Sequence, residues 1–339
     1  MTTEAANTDK IIKRIAVLTS GGDAPGMNAA VRSVVRTAIT EGIEVFGVDR
    51  GYKGLINKDF HKMTMNSVSD IINSGGTVLF TARSKEFETE EGMQKAIENM
   101  RELGIEALVV IGGDGSYRGA NDLVKRGFPC VCLPGTIDND ISSTDYTIGF
   151  DTALNTAIDM IDRIRDSAQS HDRCFVVEVM GRRAGYLALR TAIGAGATDV
   201  LVPERIENIE ASIESVCEKI RDGVAIGKNH FIIIVAEGVS KMYEGGADRI
   251  AKVIESKTGV ETRADILGYS QRGGRPTGQD RVNATRMGYY AAKLLSNGVV
   301  NRVVSMDNDV VIDIDIEKAI QAKKPFEADL FDMVKQVSV

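Results

Sequence analysis

The chain has 339 residues, 43% of them hydrophobic, enough for a large core, and its length favours about two domains. Lys and Arg number 41 against 48 Asp and Glu, a net charge of −7, so no general basic footprint for nucleic acid or an anionic membrane exists. No apolar run reaches the ~18 residues that span a bilayer, and the opening MTTEAANTDK lacks a signal-peptide core, so a cytoplasmic location is expected.

In chain order, RIAVLT (14–19) is strand-like and precedes a helix-compatible stretch at 27–40. EVFGV (44–48) follows, then a helical pattern at 93–104, ALVVIG (107–112), PCVCL (129–133) and a long helical pattern at 150–168. CFVVEVM (174–180), DVLV (199–202), a helix at 209–223 and HFIIIVAEG (230–238) complete the series. Apolar strands alternating with helices predict an α/β fold with parallel sheets buried on both faces. A first lobe is placed at 1–149; no low-complexity linker marks a second boundary. Cys130, Cys132, Cys174 and Cys217 lie in or beside apolar stretches without zinc-site spacing and read as reduced packing residues. His61, His171 and His230 carry no argument for catalysis.

In open α/β sheets ligands bind beyond the carboxyl ends of the strands. There stand TSGGDAPGMN (19–28) and IGGDGSYRG (111–119), where glycine bares backbone N–H groups and a helix start offers its positive end. Each could cradle phosphate or serve only as a tight strand-to-helix turn. Neither fits the P-loop or G-x-G-x-x-G fingerprint. Asp23 and Asp114 sit amid these glycines, and a carboxylate beside phosphate is repulsive unless a metal neutralises it, which makes Asp114 a candidate Mg²⁺ carboxylate. PGTIDNDI (134–141) adds Asp138 and Asp140, either as a turn or as a base with a metal-assisting acid. Arginines in TAR (81–83), SHDR (170–173), MGRRAG (180–185), ETR (261–263) and YSQRGGR (269–275) suit phosphate.

Taken together, TSGGDAPGMNA, GGDGS, PGTIDND, MGR and QRGG, in this order and spacing, strongly resemble the bacterial ATP-dependent 6-phosphofructokinases, the phosphofructokinase A family, over about residues 13–335. The resemblance implies two Rossmann-like three-layer lobes with mainly parallel sheets and an active site in the cleft between them. It places an ATP-binding lobe at 1–149 plus about 271–320, and a fructose-6-phosphate-binding lobe at about 150–270 plus 321–339. The subunit would work as a cytoplasmic homotetramer with active sites shared between subunits. It would transfer the γ-phosphoryl of Mg-ATP to the 1-hydroxyl of fructose 6-phosphate, the committed step of glycolysis.

By matching position, Asp138 would be the base, Thr136 would lie near the transferred phosphoryl group and Arg182 would stabilise its charge. Gly22, Arg83, Ser84, Gly113, Asp114, Gly115 and Ser116 fall at ATP positions, with Asp114 and Asp140 serving Mg²⁺. Thr136, Ile137, Asp138, Met180, Gly181, Arg182, Glu237, Tyr269 and Arg272 fall at sugar-phosphate positions. Arg173 and Arg263 match arginines that reach the 6-phosphate from a neighbouring subunit. Pyrophosphate-using relatives carry Asp and Lys where this chain has Gly115 and Gly135, which favours ATP.

Departures accompany the match. Tyr269 replaces a family histidine at the sugar phosphate, and Ser84 stands where an aromatic residue often follows the ATP-binding arginine. Members of this family are often allosteric, and Arg32, Arg36, Arg165 and Lys228 resemble the effector site for ADP or phosphoenolpyruvate. There, however, Met65 replaces an arginine, Thr198 the effector-metal glutamate and Ile226 a lysine. Each lost charge-assisted hydrogen bond is worth about 1.5–3 kcal/mol, so weak or absent regulation is expected. The alternatives are a pyrophosphate-dependent phosphofructokinase and a catalytically silent sensor of nucleotide or sugar phosphate; a dehydrogenase would need a dinucleotide fingerprint.

Overall fold

The computed structural model describes residues 12–338. Contacts divide them into two units. The first comprises residues 12–137, Ile141–Thr152 and Arg272–Lys324; the second comprises Asp138–Asp140, Ala153–Gln271 and residues 325–338.

The first unit is built on a seven-stranded sheet, ordered β11-β10-β5-β4-β1-β2-β3. Its centre is β1 (Arg14–Ser20), β2 (Glu44–Val48), β4 (Ala107–Gly112) and β5 (Cys130–Pro134), all parallel. β4 and β5 are buried at every position, which is why their sequences read as unbroken apolar runs. β10 (Arg302–Asp307) joins β5 in parallel. The edges run the other way: β3 (Phe60–Met63) and β11 (Val310–Asp315) are antiparallel to their neighbours. Helices α1 (Met27–Thr40), α2 (Gly51–Asn57), α3 (Glu90–Glu102), α4 (Asp114–Lys125), α10 (Gly278–Ser296) and α11 (Ile316–Gln321) accompany it. The Thr89 hydroxyl starts α3 by accepting from the Gly92 N–H at 3.1 Å.

The second unit carries a four-stranded parallel sheet, ordered β7-β8-β6-β9. Its strands are β6 (Cys174–Val179), β7 (Asp199–Leu201), β8 (Phe231–Ala236) and β9 (Thr262–Ile266). The apolar run at 230–238 stops being strand at Ala236; Glu237 and Gly238 open the helix α8 (Glu237–Met242). Around the sheet lie most of α5 (Phe150–Ser170), then α6 (Tyr186–Gly194), α7 (Ile209–Ala225) and α9 (Gly246–Thr258). The last helix, α12 (Ala328–Val337), packs Leu330, Phe331 and Val334 onto this unit's core. The four cysteines are free and buried, and burial pushes the Cys130 and Cys132 thiols up, so neither is a nucleophile. No described helix is long and apolar enough to cross a membrane.

Candidate active site

In the first unit the sequence motifs stand where strands end. β1 stops at Ser20, and residues 21–26 turn into α1. A Cβ on Gly22 would lie 2.3 Å from Nη1 of Arg272, so the guanidinium rests directly on this glycine, and its Nη1 donates to the Asp23 carbonyl at 3.1 Å. Gly22 and Arg272, read as nucleotide and sugar-phosphate residues, are therefore brought into contact.

β4 ends at Gly112, and α4 begins at Asp114 after Gly113, which places a carboxylate at the positive end of the helix. That carboxylate accepts from Arg118 Nε at 3.0 Å and remains 40% exposed. Ser116 is buried. The two glycines read from the family resemblance as favouring ATP over pyrophosphate differ physically. A Cβ on Gly115 would meet nothing, whereas one on Gly135 would lie 3.0 Å from the Met27 methyl and 3.1 Å from Ile111. Gly115 leaves open space; at Gly135 an added Cβ would be tight, and its neighbours would have to give by a few tenths of an ångström.

The Gly135 N–H donates to Gly112 O at 2.9 Å, and Thr136 N–H donates to Ile148 O at 3.1 Å. These bonds fix Thr136 and Ile137, both buried. Arg83 is exposed, and the Ser84 hydroxyl accepts from the Phe87 N–H at 3.2 Å.

Sequence reading missed Asp280, the buried carboxylate that joins these segments. It accepts from the N–H groups of Gly149 (2.7 Å) and Thr152 (2.8 Å) and from the hydroxyls of Thr152 and Tyr146. Gly149 and Thr152 are the start of α5, so Asp280 satisfies N–H groups left over by that helix while itself sitting in the first turn of α10. A Cβ added to Gly26 of the first loop would lie 3.5 Å from the Asp280 Cβ. Burial pushes its pKa up, while the bonds from Thr152, Tyr146 and Gly149 pull the other way. The Thr277-x-x-Asp280 spacing, a capping pattern in which Thr277 accepts from the Asp280 N–H at 3.2 Å, was the available signal.

In the second unit Asp138 is buried, 6% exposed, and Asn139 beside it adopts a left-handed backbone (φ 49°). Asp140 is half-buried, and its charge contributes, after burial, Glu204 and Glu327, to pushing the Tyr186 phenol up to about 12. β6 delivers Met180, whose N–H donates at 3.3 Å to Gln271, a fully buried side chain that in turn donates to Gly268 O at 3.1 Å. Gly181 and Arg182 turn through positive φ (142° and 58°), and the Arg182 N–H donates to Glu237 Oε2 at 2.9 Å. The other Glu237 oxygen meets Lys241.

Arg173 and Arg263 share one carboxylate: Glu261 lies 2.9 Å from Arg173 Nε and 2.6 Å from Arg263 Nη2. The two guanidiniums hold Glu261 below the usual carboxylate range, Arg173 most strongly. Glu261 stands two residues before Arg263, spacing that puts both on one side of an extended chain. Tyr269 is 83% exposed.

The candidate effector residues are divided between the units. Arg32 and Arg36 are half-buried on α1 with Met65 in the same unit. Arg165, Thr198, Ile226 and Lys228 belong to the other, where Arg165 donates to Ala195 O and the Thr198 hydroxyl accepts from Ile232 N–H at 3.4 Å.

The phosphofructokinase family profile matches residues 14–295. A Bacillus velezensis protein named ATP-dependent 6-phosphofructokinase is 52% identical over 328 residues, covering 97% of this chain and 100% of that protein. A Clostridium botulinum protein of the same name is 50% identical over 327 residues, covering 96% and 100%. Among solved structures, phosphofructokinase from Saccharomyces cerevisiae superposes with a TM-score of 0.85 at 37% identity, over 96% of this chain and 48% of that one. The chain thus spans about half of the yeast protein's length. A pyrophosphate-dependent phosphofructokinase from Marinobacter aquaeolei shares the fold, with a TM-score of 0.81 at 21% identity over 95% and 91% of the two chains.

Proposed function

The chain belongs to the phosphofructokinase family, and on that premise we propose that it phosphorylates D-fructose 6-phosphate at the 1-hydroxyl with ATP, giving fructose 1,6-bisphosphate and ADP. The carrying observation is identity of 50% and 52% to two proteins named ATP-dependent 6-phosphofructokinase, each covered over its full length. The open space at Gly115 supports the nucleotide as donor, because an acidic side chain there would project toward phosphate.

In this mechanism Asp138 accepts the proton of the sugar hydroxyl as its oxygen attacks the γ-phosphorus, with Thr136 beside the moving group. Burial of Asp138 supports the role, since a base screened from water acts on the substrate. Arg182 counters the developing charge and Arg272 serves the sugar phosphate. The backbone N–H groups of residues 113–116 and the Gly22 turn hold the nucleotide phosphates, with Arg83 assisting.

Among the described residues no group of three or more His, Cys, Asp or Glu could hold a metal alone. That fits Mg²⁺, which takes one or two carboxylates and completes its shell with waters and phosphate oxygens. The half-exposed Asp114 and Asp140 are the residues that would hold it. Bound there, Mg²⁺ would supply neutralisation of phosphate charge.

Arg173 and Arg263 would serve the 6-phosphate of a neighbouring copy, so activity would require self-association, for which the family resemblance gives a homotetramer. Initial rates of fructose 1,6-bisphosphate formation, with ATP and pyrophosphate in parallel, test the proposal. Product with ATP alone is expected; product with pyrophosphate alone refutes the donor, and no product with either leaves a silent sensor.

A further inference from the structure

The turn after β6 carries Met180, Gly181 and Arg182, and its backbone is unusual at two consecutive residues. Gly181 stands at φ 142°, where a Cβ would lie 2.6 Å from the Ala184 carbonyl oxygen, and Arg182 is left-handed (φ 58°). A non-glycine residue keeps that conformation where its surroundings over-determine it. Arg182 is exposed, so burial of its side chain does not hold it there.

Hydrogen bonds from distant parts of the second unit do. Three side chains accept N–H groups of this one turn: Gln271 takes Met180 N–H at 3.3 Å, Glu237 takes Arg182 N–H at 2.9 Å, and Glu204 takes Gly185 N–H at 2.8 Å. Ala184 N–H closes the turn on Gly181 O at 2.9 Å. Backbone packs against it as well, since a Cβ on Gly185 would lie 2.5 Å from Val202 Cβ and one on Gly238 would lie 3.2 Å from Arg182 O. The turn is gripped at both ends.

Glu237 falls at a sugar-phosphate position and Gln271 adjoins Arg272, but Glu204 belongs to none of the motifs. It stands in the short 3₁₀ turn Pro203–Arg205 that follows β7, and its one printed hydrogen bond is to the buried Gly185, three residues beyond Arg182. We propose that Glu204 is a positioning residue for Arg182: it anchors the far end of the turn and so fixes the direction in which the arginine side chain leaves the backbone. This rests on the reading of Arg182 as the group that counters charge on the moving phosphoryl.

Glu204 is exposed, and Glu204→Ala removes the anchor without opening the core. It should lower kcat/KM for fructose 6-phosphate about tenfold or more, the scale of a small misplacement near the reacting atoms, with the ATP KM unchanged. Glu204→Gln keeps an acceptor oxygen and should recover most of that loss. In an Arg182→Ala background, Glu204→Ala should cost less than about twofold further, because the side chain it directs is gone. An undiminished Glu204→Ala, a Glu204→Gln no better than Glu204→Ala, or a loss that persists in full without Arg182 would each overturn the anchor. If Arg182→Ala alone keeps full turnover, the catalytic reading of Arg182 falls, and hydrogen exchange at the Gly185 amide decides whether Glu204 anchors the turn. Exchange about tenfold faster in Glu204→Ala is expected; equal rates would refute it.

Discussion

The two units support their candidate phosphate-binding residues in different ways. In the first, backbone groups and glycines form the cradle, and the buried carboxylate Asp280 ties the start of α5 and the start of α10 together beside the loop at Gly26. In the second, surface or half-buried carboxylates hold the candidate residues: Glu237 takes the Arg182 backbone N–H and the Lys241 ammonium, and Glu261 takes the Arg173 and Arg263 guanidiniums. A cradle made of backbone is preorganised by the fold, so its supporting residues register as stability. Cations held by exchangeable carboxylates register as affinity.

The largest effect breaks this division from the catalytic side. Asp138→Asn should lower kcat by about a hundredfold or more, the scale of a positioned base, with thermal stability nearly unchanged. Steady-state turnover close to that of the unsubstituted enzyme would remove Asp138 from the role.

Asp280→Ala should be the largest stability effect, about 3 kcal/mol or more, because several buried donors lose their acceptor at once. Asp280→Asn keeps the shape but turns one acceptor into a donor facing donors, and should recover only part of the loss in denaturant unfolding. A fully stable Asp280→Ala would show that the first unit's cradle does not depend on this carboxylate.

Gly22→Ala tests the backbone cradle more gently. The added methyl meets the far end of a flexible arginine, so unfolding midpoints should hardly move. Displacing the Arg272 guanidinium should cost about tenfold in kcat/KM for fructose 6-phosphate. Equal losses of stability and activity would contradict the separation.

Smaller effects are expected at the candidate effector residues. Because the family resemblance reads Met65, Thr198 and Ile226 as replacements of charged side chains, velocity should stay hyperbolic in the presence of phosphoenolpyruvate. Strong sigmoidal inhibition relieved by ADP would refute this. Nearby, burial and the charges of Arg165 and Lys228 push the His230 pKa below its ordinary value of 6.5. The folded state therefore binds fewer protons than the unfolded state, and this contribution to stability is present above pH 6.5 and lost as pH falls toward the folded value. His230→Gln should flatten the pH dependence of the melting temperature in that window.

Much of the candidate site was legible because its parts are local in sequence. A glycine turn after a buried strand, an acid at the start of the next helix and an arginine in MGR each announce their chemistry within ten residues. The central strands were readable for the same reason, being apolar at every position. The edge and flanking strands were not. β3 and β11 are partly exposed, and β9 mixes charged with apolar residues, so their pairing depends on a neighbour distant in sequence.

By itself the sequence determined the alternation of strands and helices, the positions of Asp138, Asp114 and the arginines, and the family they belong to, since these depend on residue type and short spacing. Only the tertiary structure decided that Asp280 serves a helix start 128 residues away, that Glu261 holds two arginines, that a Cβ would be tight at Gly135 while Gly115 is open, and that Glu204 takes the Gly185 N–H at the far end of the turn carrying Arg182. Burial, shared hydrogen bonds and available volume are properties of what surrounds a residue, and distant segments become surroundings only when the chain has folded.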